Sequence, residues 1–111
     1  MLRTFTTALA LLPAAALAEV PNVVADTIPV HSLVAQVMGD LGEPQLLLPP
    51  GVSVHDFQMR PSDASVLESA GIVIWTGPTL APWLAEPLET LAPSAAHVAL
   101  LESEGWIPLP L

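Results

Sequence analysis

The chain has 111 residues, 52% of them hydrophobic, with eleven Asp and Glu against two Lys and Arg and a formal net charge of −9. That balance excludes docking on nucleic acid or anionic lipid, which both need Lys and Arg to neutralise phosphate, although an acidic surface attracts cations in a general way. Cysteine is absent, which removes disulfides and thiolate metal sites and leaves no cysteine at a cleavage site to carry a lipid.

Arg3, the apolar stretch Ala8 to Leu17 and the small-residue pattern Ala16-Leu17-Ala18 are the three parts of a secretory signal. Residues 1–18 are therefore expected to be a signal peptide and residues 19–111 a soluble periplasmic lobe without a lipid anchor. A membrane span would need about 20 apolar residues, and Pro13 interrupts a stretch that is already shorter. Cleavage removes Arg3, which leaves Arg60 as the one Lys or Arg against all eleven acids. The remaining length suits one lobe with a core of modest size.

Val23-Val24-Ala25 predicts a buried strand. Val30, Leu33, Val34, Val37, Met38 and Leu41 then lie on one helical face, with Pro29 in the first turn and Gly39 and Gly42 ending the helix. Leu46-Leu47-Leu48 predicts a second strand, stopped by Pro49-Pro50-Gly51, and a polar loop follows to Arg60. Ser62 is the expected N-cap of the next helix, Asp63 suits its positive end, and Val66, Leu67 and Ala70 form its apolar side.

Ile72-Val73-Ile74-Trp75 is a β-branched run that predicts a third strand, with a turn at Thr76-Gly77-Pro78. Leu80, Trp83, Leu84, Leu88 and Leu91 repeat at helical spacing, and Pro87 is expected to kink or split that helix. His97 to Leu101 predicts a fourth strand, and the tail from Gly105 to Leu111 has no clear period. Strands alternating with helices imply an α/β fold, a four-stranded parallel sheet covered on both faces by flanking helices. Ligands in such sheets bind at the carboxyl ends of the strands.

His55 follows the second strand and so belongs at that edge. Neutral imidazole is a good zinc donor, and its other ring nitrogen needs a partner, for which Asp56 or Asp63 could serve. A single histidine in a loop is also an ordinary hydrogen-bonding residue, since zinc sites need several ligands. His31 fits a capping or packing role, His97 a hydrogen-bonded strand position, and Trp75 and Trp83 fit apolar patterns of a core or a lobe interface, with Trp106 undecided. Asp56, Arg60 and Asp63 could form a charge-assisted network that holds the loop. The chain has no HExxH, no GxSxG, no phosphate loop and no cysteine nucleophile, so no enzyme is expected.

The segment Leu48-Pro-Pro-Gly-Val-Ser-Val-His-Asp-Phe-Gln-Met-Arg-Pro-Ser-Asp63 resembles the metal loop of periplasmic zinc-uptake binding proteins, in the metal-specific solute-binding family of ABC importers. The resemblance extends to Val24-Ala-Asp-Thr-Ile-Pro-Val-His-Ser-Leu33, to Ile72-Val-Ile-Trp-Thr-Gly-Pro78 and to the segment carrying Trp83. It implies that His55 binds zinc, that a second α/β lobe or another chain supplies the remaining ligands, and that a membrane permease of an ABC importer receives the metal. Val54 stands where some members have an acidic residue, so any contribution from that position is missing. Zinc is favoured over manganese or iron by the resemblance, because metal choice depends on the complete ligand set. The expected role is a periplasmic zinc receptor, or a truncated form of it, represented by its amino-terminal lobe with the second lobe absent. The alternative is a half-lobe interaction module without metal transport function, pairing through the apolar surface that a second lobe would cover.

Overall fold

The computed structural model describes residues 18–107, 109 and 110. The expected signal peptide lies almost wholly outside the described residues, as do two residues of the apolar tail. Among the described residues no helix is long and apolar enough to cross a membrane.

Strand β1 (Val23–Ala25) leads into helix α1 (Ile28–Met38), and β2 (Gln45–Leu46) is followed by the loop to α2 (Pro61–Glu68). Strand β3 (Ile72–Trp75), a 3-10 turn at Pro82–Leu84, α3 (Ala85–Leu91) and β4 (Ala96–Ala99) complete the order. The sheet runs β2-β1-β3-β4 with every pairing parallel. This is the expected α/β fold with four parallel strands.

Alternation along β1 and β3 sends side chains to two separate cores. Val24, Val73 and Trp75 pack with Leu47, Leu67, Leu84 and Leu88 under α2 and α3. Val23 and Ala25 pack with Val30 and Val34 under α1, where Ile72 and Ile74 join them.

Four local expectations are corrected. The second strand is Gln45–Leu46, one residue earlier than Leu46 to Leu48, yet Leu47 N–H still donates to Ala25 O and Leu48 N–H to Asp26 O, both at 2.9 Å. Helix α2 is capped at Arg60 and not at Ser62, because Pro61 takes the first helical position, where a missing amide hydrogen costs nothing. The repeat from Leu80 to Leu91 does divide into two segments, the 3-10 turn and α3, but the break falls at Leu84 and not at Pro87, which lies in the first turn of α3 where no intrahelical acceptor exists for its position. The fourth strand ends at Ala99, and Leu100–Glu102 form a 3-10 turn.

The sheet is also less covered than expected. Leu33 and Val37 on α1 and Leu41 just beyond it, half of the expected apolar face, are 57%, 86% and 69% exposed, and Val98 on β4 is exposed too. Helix α1 lies over β1 and its neighbours, so the edge strand is bare on that face and an apolar groove of about 350 Å³ separates α1 from Ile74, Val98 and Leu100.

Candidate metal-binding edge

The carboxyl ends of β1, β2 and β3 converge on Asp26. This fully buried carboxylate accepts the Thr27 N–H at 2.7 Å on one oxygen, and the Thr76 N–H at 2.8 Å and Thr76 hydroxyl at 2.7 Å on the other. Its backbone joins the neighbouring strands as well, donating to Ile74 O at 3.3 Å and accepting from Leu48 N–H. A buried polar group is tolerated only when hydrogen-bonded, and here three donors satisfy Asp26. Asp26 thereby fixes where the α1 turn, the β2 exit and the β3 exit stand relative to one another.

The loop from Pro49 to Arg60 leaves this edge. Gly51, at φ +82°, takes the left-handed conformation that reverses the chain after two prolines. A cleft of about 460 Å³ opens between the loop and the first turn of α1, with Pro29, Pro49, Val54, Thr76 and Leu80 among its walls.

His55 is exposed beside this cleft, and so is Asp56. The His55 backbone N–H donates to Ser53 Oγ at 3.3 Å, and among the described residues its ring has no hydrogen-bond partner. Asp63 does not orient that ring, because Arg60 occupies both of its oxygens. Arg60 Nε donates to Oδ2 and Nη2 to Oδ1, each at 3.1 Å, while the Arg60 backbone N–H donates to Oδ2 at 2.8 Å. The hydrogen bond from Arg60 holds the Asp63 carboxyl below the usual carboxylate range, and the same bond raises the Arg60 guanidinium. The expected network is thus present between Arg60 and Asp63, where it closes the loop onto α2 and leaves Asp56 outside.

Two aromatic side chains hold the middle of the loop. Trp83 Nε1 donates to Val54 O at 2.6 Å, and Phe57 packs edge-on against the Trp83 ring at 4.9 Å between centroids and 63° between planes. Trp83 is therefore half-buried loop support, while Trp75 is core and Trp106 is exposed at 43%. The other histidines are structural: the His31 ring hydrogen-bonds Pro44 O at 2.9 Å and the His97 ring Ala92 O at 2.7 Å. Among the described residues no three His, Asp or Glu side chains come together as a closed metal site. The role of Trp83 has no local sequence signature; for Asp26 the available signal was an acid directly after a buried strand, where a hydrophobe is the rule.

The high-affinity zinc uptake system protein ZnuA of Paracoccus denitrificans is 47% identical over 85 residues, which is 77% of this chain and 26% of the relative. The protein of the same name from Brucella abortus is 37% identical over 91 residues, 82% of this chain and 27% of the relative. The chain thus spans about a quarter of the length of these curated relatives. Among solved structures, the Zn(II)-bound ZnuA-like domain of Streptococcus pneumoniae AdcA shares the fold with a TM-score of 0.67 at 20% identity, covering 79% of this chain and 33% of that one. The Mn-bound periplasmic metal binding protein of Candidatus Liberibacter asiaticus does so with a TM-score of 0.66 at 16% identity, covering 77% and 32%. Residues 23–108 match the family described as zinc-uptake complex component A periplasmic, and with that match across both the sheet and the loop, the chain belongs to this family.

Proposed function

We propose that this chain forms the amino-terminal lobe of a periplasmic zinc receptor that delivers its metal to the permease of an ABC importer, with His55 as the zinc ligand of this lobe. The observation that carries the reading is the exposed His55, held at the carboxyl edge of a parallel sheet beside an open cleft, where α/β folds bind their ligands. The names of the relatives from Paracoccus and Brucella support zinc as the cargo and uptake as the process. Manganese or iron would require a different complete ligand set, which this lobe does not determine.

The lobe offers one imidazole and no closed cluster among its described residues, so the remaining donors come from a second lobe or chain. Zinc is usually held by four ligands in tetrahedral array, and the lone ligand of this lobe binds it weakly. Receptor action follows from that division: metal bridges His55 and the donors of the second lobe or chain, which couples capture to closure. Nothing in the site activates a water beside a positioned base, so the reading is a binding protein and not a hydrolase.

Calorimetric titration of the chain with zinc tests the assignment. Weak binding is expected, and His55→Ala is expected to remove most of it. Tight binding that survives the substitution would refute the role of His55.

A further inference from the structure

We propose that Trp83 is a positioning residue for His55, holding the tip of the loop in a fixed place before any metal arrives. The proposal rests on the reading of His55 as a zinc ligand and adds to it the element that orients the loop.

The loop has little strength of its own. Its internal bonds are Val52 N–H to Pro49 O at 3.3 Å, Asp56 N–H to Ser53 O at 3.4 Å and the 3.3 Å bond from His55 N–H to Ser53 Oγ. All three lie beyond the ordinary range of good N–H···O bonds. The bond from Trp83 Nε1 to Val54 O, at 2.6 Å, is far shorter and spans 29 residues of sequence.

Trp83 grips the loop on both sides of its exposed tip. Val54 is held by the indole N–H, Phe57 by the ring, and His55 and Asp56 are the two residues between them. The support is rigid, because Ala81 and Leu84 on either side of the Pro82-Trp83 pair are fully buried. An exposed dipeptide clamped at both flanks keeps its imidazole accessible while losing most of its freedom. A ligand held this way has less conformational entropy to lose when a metal site closes around it.

Indole has one donor and no acceptor, so Trp83→Phe removes the bond to Val54 O while keeping a ring against Phe57. Backbone 15N relaxation of the metal-free chain measures the clamp. In the wild-type chain the His55 and Asp56 amides are expected near the rigid-backbone order parameter of about 0.85, and in Trp83→Phe below about 0.6. Val34→Ala, a change in the separate core under α1, is the control: it is expected to lower the melting temperature without loosening these two amides. Equal order in Trp83→Phe and wild type, or equal loosening in Val34→Ala, would overturn the clamp.

Zinc provides a spectroscopic signature that mere packing would not produce. Zinc added to the wild-type chain is expected to shift the His55 imidazole resonances at a lower concentration than in Trp83→Phe, because the clamped ligand has less freedom to lose, and His55→Ala is expected to abolish the shift. Equal zinc concentrations for the two chains overturn the clamp alone. No shift at His55 overturns the receptor reading and, with it, the functional meaning of the clamp.

Discussion

The two faces of the sheet are built to different standards. Under α2 and α3, Val24, Leu67, Val73 and Leu84 are fully buried, and Trp75 and Leu88 nearly so. Under α1, Val30 and Val34 are buried, but Leu33 and Val37 one turn on are open to solvent and face a groove without polar lining atoms. Right-handed crossovers explain the asymmetry. With the order β2-β1-β3-β4, the β1-to-β2 connection puts α1 on one face, while the next two connections run the other way along the sheet and put α2 and α3 on the opposite face. Burial is therefore concentrated on the side of α2 and α3.

Substitutions of similar chemistry on the two faces should break or establish this difference. Leu84→Ala opens a cavity in the sealed core and is expected to cost about 2–5 kcal/mol. Val37→Ala removes a side chain that is 86% exposed, and is expected to change stability by less than about 0.5 kcal/mol. Urea unfolding of both variants measures the contrast; comparable losses would mean that the α1 face is covered in solution.

Asp26 belongs to neither face, since it ties the strand ends on which both depend. Asp26→Ala strands the Thr27 and Thr76 amides that now donate to it. The expected loss is about 1–3 kcal/mol, the cost of leaving buried donors unpaired. A loss within a few tenths of a kcal/mol of zero, measured by the same unfolding, would show that the edge holds without the carboxylate.

What could be read from the sequence follows the range of the interactions. The β-branched run from Ile72 to Trp75 and the periodicity of α1 are local, and both elements stand where those patterns put them. The same periodicity gave no warning that Leu33 and Val37 stay exposed, because an apolar stripe states a demand for cover and not whether a neighbour meets it. At α2 a hydroxyl-bearing N-cap preference competed with proline at the first helical position, and proline prevailed with Asp63 closing the cap from inside. At the carboxyl edge, the loop around His55 was legible from its motif. Its supports were not, because the Trp83 to Val54 bond spans 29 residues and the Asp26 to Thr76 bonds span 50, separations on which local pattern is silent.

Acid should weaken the sealed face selectively through the start of α2. Asp63 is buried, and Arg60 holds its carboxyl below the usual range. A carboxyl with a depressed folded-state pKa adds stability that is fully present above its unfolded value of about 3.9 and is lost as pH falls through the folded value. Asp63→Asn keeps the shape but gives up the charge, and is expected to be less stable than wild type by about 1 kcal/mol at pH 7, in the range of a lost N-terminal cap. The gap should narrow as pH drops below about 4, since the wild-type chain then loses the same charge. Urea midpoints of the two chains at pH 7 and in acid decide it: a gap that stays constant would assign the contribution of Asp63 to packing, and a gap that closes assigns it to the charged cap on α2.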